Sequence, residues 1–384
     1  MIDGKKIVRD AQEQSGLQNL GDDGILQPLD LLVDSLNSEA RLTPMGEAVF
    51  TRTATEYVVN RLRAEDYLAR NPQLLERPIE KPMFVFGLPR TGTTLTINLL
   101  SEDPMRRCFL RWEAFNSVPP PQPEELHAGP RYDASQAQIE DSVKFMPHIS
   151  AIHHEDADSP CECQFLMTPS FCSQVYDSQY QVPSYHRWFL YEADYLSAFR
   201  FHKRMLQLLQ ENAGGRWTLQ NPWHPLFLDA LTQVYPDAQL VMTHRDPVEV
   251  VGSACSLIWN VTKMFSDDVD RMEIGRKMVE TFELMIARQA AYREQHGRDA
   301  IFDILYAEQV RDPLGTMRKL YNHFDEELSP RASANMQAYL KAKPKNRFGK
   351  HVYDLADYGL TAGEIRERFA GYCADFAIPA GKGE

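Results

Sequence analysis

Arg90, Thr91, Gly92, Thr93 and Thr94 bring a cation and three hydroxyls together around a glycine, inside the stretch KPMFVFGLPRTGTTLTINLL from Lys81 to Leu100. Those residue types, packed so closely, suit the binding of an oxyanion. The flanking elements strengthen the reading. Met83-Phe84-Val85-Phe86 is an unbroken apolar run, as expected of a strand buried on both faces of a parallel sheet. Gly87-Leu88-Pro89-Arg90-Thr91-Gly92 supplies a tight turn, and Thr93 opens a helix. The first N–H groups of a helix have no intrahelical partner and the helix dipole favours negative charge there, so strand, glycine loop and helix form an anion site.

The spacing of Gly87 and Gly92 matches the nucleotide loop G-x-x-x-x-G-K-[ST], but Thr93 fills the lysine position. That lysine reaches the β- and γ-phosphates of a triphosphate, so its replacement argues against an ATPase or GTPase. A second anion motif lies downstream. Gln239 to Thr243 reads as a buried strand, followed by His244-Arg245-Asp246-Pro247. Asp246 suits a helix N-cap, Pro247 the first helical position, and Glu249 the far end of a capping box. Arg245 therefore falls at a strand–helix junction, and Ser253 lies about two turns up the helix. A guanidinium and a hydroxyl so placed suit a second phosphate. His244-Arg245-Asp246 is also a protein-kinase tripeptide, but no catalytic Asn follows at the required spacing and no Asp-Phe-Gly lies downstream.

Two residues are candidate bases. Cys108-Phe109-Leu110 reads as a second strand, placing Glu113 just past its carboxyl end, where open α/β sheets hold their ligands. Trp217-Thr218-Leu219 reads as a third, followed by Asn221-Pro222-Trp223-His224. A carboxylate at its ordinary value is a weak base, so Glu113 needs partial burial to raise it.

GLPRTGTT resembles the 5′-phosphosulfate loop of the sulfotransferases, which use 3′-phosphoadenosine-5′-phosphosulfate (PAPS) as sulfuryl donor. THRDPVEVVGSACS resembles their 3′-phosphate motif, an Arg at a strand end and a Ser eight residues on, here Arg245 and Ser253. LYAEQVRDP is similar to a later family pattern whose Tyr, here Tyr306, lies near the adenine. Lys341, Lys343, Lys345, Asn346, Arg347, Gly349 and Lys350 form a basic cluster in an acidic chain. The resemblance implies that Arg347 and Lys350 close over the 3′-phosphate, although the spacing is not the strict Arg-Lys-Gly of the cytosolic enzymes. Leu95 stands where those enzymes often carry a Trp. Several carbohydrate, tyrosine-protein and bacterial members use a Glu soon after the strand following the loop, which puts Glu113 ahead of His224.

The 384 residues are 43% hydrophobic and 25% charged, an ordinary globular composition, with a formal net charge of −13. An acidic surface disfavours nucleic acid and anionic membranes, so a polyanionic ligand needs a local basic pocket. MIDGKKIVRDAQEQ has no apolar core of a signal peptide, and no apolar run reaches a membrane-spanning length. The six cysteines form no disulfide framework, which fits a reduced cytoplasmic protein. Cys161, Cys163 and Cys172 with His153 and His154 match no common zinc spacing, and no metal is expected.

Residues 1–80 read as a helical segment packed on the core. Thr43-Pro44 starts a helix carrying Val49, Phe50, Tyr57, Val58 and Leu62 at helical spacing. Residues of about 120–210 read as a helical insertion rich in aromatics, able to line an apolar acceptor pocket. Ala300 to Leu305 reads as a fifth strand. The expectation is a three-layer α/β P-loop-like fold with a mainly parallel central sheet, residues 81–384 forming the sulfotransferase domain. The expected activity is transfer of a sulfuryl group from PAPS to a hydroxyl or amine of a small, apolar acceptor. Arg90 would stabilise the leaving phosphate. The alternatives are a small-molecule kinase using ATP, which Thr93 disfavours, and a noncatalytic nucleotide-binding protein.

Overall fold

Five strands, β1 (Met83–Gly87), β2 (Arg106–Cys108), β3 (Arg216–Gln220), β4 (Gln239–His244) and β5 (Ile301–Leu305), lie in the order β2-β3-β1-β4-β5, every pair parallel. The computed structural model describes residues 1–145, 156–342 and 353–381. β1 is central and wholly buried. Its alternate side chains feed opposite faces, as the strand's twofold period requires. Met83 and Val85 pack with Leu99, Leu100, Val241, Ile304, Met317 and Leu320. Phe84 and Phe86 face the larger core that holds the insertion and the N-terminal helices.

From β1 the chain crosses to β2 and β3 on one side of the sheet, then to β4 and β5 on the other. That reversal opens a crevice at the carboxyl ends of β1 and β4, where open α/β sheets take ligands. Gly87 pairs with Thr243 there, so the loops after the two strands leave the sheet side by side.

Helices α1 (Gly4–Ser15), α2 (Leu26–Ser38) and α3 (Pro44–Arg70) fill the N-terminal segment. Thr43 caps α3, its hydroxyl accepting from Gly46 N at 2.9 Å. Buried Arg61 of α3 ties this segment to its neighbours, donating to Leu20 O at 2.7 Å and Ser170 Oγ at 3.2 Å, with its guanidinium over the Phe201 ring. Inside the insertion, fully buried Asp177 accepts from Lys277 Nζ at 3.0 Å and pairs with His186 Nδ1 at 2.8 Å. No described helix is long and apolar enough to cross a membrane.

β2 begins two residues earlier than expected, at Arg106, because both of its arginines are buried by distant partners. Arg106 donates to Tyr321 Oη at 3.0 Å and Glu326 Oε2 at 2.7 Å. Arg107 donates to Ala213 O at 2.8 Å and to Glu113.

Candidate active site

The glycine loop is built by its own hydroxyls and by two glycines. Thr91 is fully buried, its Oγ1 donating to Leu88 O at 2.6 Å and lying 2.6 Å from Thr243 Oγ1. Its hydroxyl locks the loop to β4 and is not turned toward a ligand. Gly87, at φ 152°, passes so close to the Thr243 carbonyl that a Cβ there would collide with it. Gly92, at φ 106°, caps helix α4 (Thr93–Ser101), and a Cβ on it would lie 2.7 Å from Tyr306 Cδ2. Thr91 N is spent on Leu88 O at 3.3 Å, and Leu95 N and Thr96 N close back on Gly92 O at 3.1 and 3.2 Å, which leaves the N–H groups of Gly92, Thr93 and Thr94, without partners among the described residues, for an anion. Thr93 is buried and Thr94 exposed.

Arg90 turns from this loop toward the second motif. It takes φ 72°, and its Nε donates to Ser253 Oγ at 3.2 Å. Arg245 meets the loop from the other side, its Nη1 donating to Arg90 O at 3.1 Å. The Arg245 guanidinium lies 4.5 Å from the centre of the Tyr306 ring. Tyr306 is thus wedged between Gly92 and Arg245, joining the two loops. Burial first, and the neighbouring Arg245 next, push the Arg90 guanidinium below its ordinary value. Two guanidinium groups in so small a space favour a polyanion.

Asp246 caps the helix Pro247–Thr262 through Val248 N at 3.0 Å. Glu249 does not complete the expected capping box, since its carboxylate accepts from Arg245 Nε at 2.6 Å. Tyr353 packs on Gly252 and donates to Glu249 O at 2.8 Å. Arg347 and Lys350 lie outside the described residues.

Glu113 is not at the open edge. It has no exposed surface, Arg107 Nη2 and Nη1 reach its oxygens at 2.5 and 3.2 Å, and Leu110 N donates at 2.9 Å. This carboxylate neutralises a buried guanidinium and pins the turn after β2. His224 is equally enclosed. Its ring lies 5.3 Å from Phe84 and 5.7 Å from Phe199, centre to centre, and neither ring nitrogen has a hydrogen-bond partner among the described residues. Burial pushes it well below the ordinary histidine value, so it is a neutral ring in an apolar wall.

A different carboxylate stands at the edge. The segment after Pro160 crosses the carboxyl ends of β2 and β3, with Cys161 N donating to Phe109 O and Cys163 N to Gln220 O, both at 2.7 Å. This bridges Glu162 to Gln220, the last residue of β3. Glu162 is half-buried, accepts from Gln164 Nε2, and lies near enough to Arg90 to favour its cationic form. No sequence motif marked it. The available signal was a lone carboxylate between two apolar cysteines just after a proline.

One turn on, Phe165, whose N donates to Glu162 O at 3.0 Å, belongs to an aromatic wall from three parts of the chain. Tyr57 of α3 stacks on Phe115 with ring centres 6.0 Å apart, and Phe115 meets Phe165 at the same distance. Arg111 lies over both phenylalanine rings at 4.5 and 4.7 Å. Burial pushes the Tyr57 phenol up to about 12 despite the pull of Arg111. Among the described residues, no group of three or more His, Cys, Asp or Glu is placed to hold a metal ion.

Comparison with known proteins agrees with this fold. The model of the sulfotransferase family matches residues 82–330. The crystal structure of sulfotransferase STF9 from Mycobacterium avium is 33% identical, covers 99% of this chain and 98% of its own, and superposes with a TM-score of 0.92. Sulfotransferase STF1 from Mycobacterium tuberculosis H37Rv is 32% identical over 96% of this chain and 99% of its own, with a TM-score of 0.86. The omega-hydroxy-beta-dihydromenaquinone-9 sulfotransferase Stf3 of Mycobacterium bovis is 22% identical over 286 residues, 73% of this chain and 68% of that protein. An α/β fold whose two basic loops meet at the switch point of a parallel sheet suits a transferase of anionic groups. The chain belongs to the sulfotransferase family, and it is an enzyme that moves a sulfuryl group from a donor to a small-molecule acceptor.

Proposed function

We propose that the donor is PAPS, that the acceptor is a hydroxyl or amine on a small apolar molecule, and that Glu162 is the general base. The observation that carries the donor is the convergence of Arg90, Arg245 and Ser253 at one edge. One cation belongs to a glycine loop with free helix N–H groups and suits the 5′-phosphosulfate. The other belongs to a strand–helix junction and suits the 3′-phosphate. Gly87 and Gly92 let the loop pack directly on Thr243 and Tyr306, where a Cβ would not pass, and so hold the loop beside Arg245.

PAPS supplies an activated sulfuryl group whose leaving group is a phosphate. The loop N–H groups and Arg90 hold that phosphate and stabilise the charge that grows on its bridging oxygen. Glu162 takes the acceptor's proton as the acceptor oxygen or nitrogen bonds to sulfur in line with the departing oxygen. The acceptor lies against Tyr57, Phe115 and Phe165. The Mycobacterium bovis relative is named for an omega-hydroxy acceptor, which agrees with a hydroxyl presented from an apolar body.

Glu113 and His224 are structural in this reading, one neutralising Arg107 and the other filling the apolar wall. The test is turnover of PAPS with a panel of hydroxylated apolar acceptors, with nucleotide affinity measured separately. Glu162→Gln loses about 10²–10⁴ in rate with PAPS binding kept, whereas His224→Leu keeps both. Full activity in Glu162→Gln, with a folded Glu113→Gln or His224→Leu variant that binds PAPS but does not turn over, overturns the assignment.

A further inference from the structure

We propose that Glu249 is the resident counter-charge of Arg245, competing with the 3′-phosphate and setting how readily the desulfated nucleotide leaves. The inference rests on the donor reading above.

Arg245 presents one edge of its guanidinium fork, Nε and Nη2, to Glu249 Oε2, and spends Nη1 on the Arg90 carbonyl. The Tyr306 ring covers one flat side. The edge held by Glu249 is the one a phosphate needs for a two-pronged contact. Two anions cannot share it fully. A phosphate arriving at Arg245 and Ser253 either displaces the carboxylate or binds beside a like charge, and each costs affinity.

Glu249 is free to act this way. Asp246 already caps the helix through Val248 N, so Glu249 is not needed as a cap. The pair is open to water, with side-chain exposures of 29% for Arg245 and 30% for Glu249, so the carboxylate can swing away without burying a bare charge. The C-terminal tail closes the other side. Gly381 N donates to Asp246 Oδ2 at 2.5 Å, and a Cβ on Gly381 would collide with the Glu249 carboxylate. As the bisphosphate departs, Glu249 retakes Arg245 and keeps the fork from standing unpaired.

The test is calorimetric binding of 3′,5′-adenosine bisphosphate and of 5′-AMP to the wild type, Glu249→Gln and Glu249→Ala, each checked for an unchanged fold by circular dichroism. The expected result is bisphosphate bound about fivefold or more tighter in both variants, with 5′-AMP unchanged and the donor KM lowered. Unchanged or weaker bisphosphate binding in either variant overturns the proposal, and weakening by Glu249→Ala rescued by Glu249→Gln makes Glu249 only a support for Arg245. A wild type with no preference for bisphosphate over 5′-AMP instead removes the donor reading itself.

Discussion

Arg90 Nε donates to Ser253 Oγ at 3.2 Å, across 163 positions of sequence. The bond joins the two anion motifs directly, so they form one site with two cations and not two separate pockets. Ser253 uses an oxygen lone pair for Arg90, and its hydroxyl proton remains for a phosphate. The pairing underlies the proposal that a single nucleotide carrying anions at both ends occupies the crevice.

Arg245→Ala removes the cation at the β4 end and its hydrogen bond to the Arg90 carbonyl, while the loop N–H groups and the Arg90 guanidinium, held by Ser253, remain. Nucleotides with a 3′-phosphate lose on the order of 1.5–3 kcal/mol, about 10- to 150-fold in affinity, and 5′-AMP is spared. Titrating both ligands against the variant checks this. An equal loss for both separates Arg245 from the 3′-phosphate.

Gly92→Ala places a methyl group 2.7 Å from Tyr306 Cδ2 at a residue with φ 106°. The backbone conformation alone costs about 1–3 kcal/mol for an L-residue. The loop must shift away from Tyr306, and Tyr306 carries Arg245 on its other side. Thermal unfolding drops, and affinity falls for 5′- and 3′-phosphate nucleotides together, unlike the selective loss in Arg245→Ala. A variant with wild-type melting and binding contradicts the packing of Tyr306 between the two motifs.

The site was legible in the sequence wherever chemistry and local pattern coincide. Met83–Phe86 and Gln239–Thr243 are apolar runs ending in basic loops, so strand, turn and charge could be read together. The burial of Arg106 and Arg107 was not legible, because their partners Tyr321, Glu326 and Glu113 are brought in by the fold and two adjacent arginines read as surface. The same pairing took Glu113 inside. Glu162 escaped notice for the converse reason: its place is set by a bridge to Gln220, and no short-range motif encodes such a contact. Tyr57 reached the aromatic wall only because α3 packs back against Phe115, 58 residues on.

Asp177 and its two cationic partners set the sign of a pH dependence in the fold. Burial pushes its carboxyl up, but the charges and hydrogen bonds of His186 and Lys277 outweigh this and hold it well below its ordinary value of 3.8. A carboxyl depressed in the folded state contributes stability that is complete above its unfolded value and is lost as pH falls below it. Asp177→Asn leaves Lys277 without its counter-charge and costs about 3–5 kcal/mol near neutrality. The melting difference between wild type and variant should hold down to about pH 4 and shrink below it. A difference that grows on acidification contradicts the assignment.

The most direct measurement is a thermal-shift titration of the wild type with PAPS, 3′,5′-adenosine bisphosphate, and ATP with magnesium. The convergence of Arg90, Arg245 and Ser253, together with Thr93 in place of the phosphate-reaching lysine, predicts that both 3′-phosphorylated nucleotides raise the melting temperature at concentrations where ATP does little. Equal or greater stabilisation by ATP with magnesium would contradict PAPS as the donor.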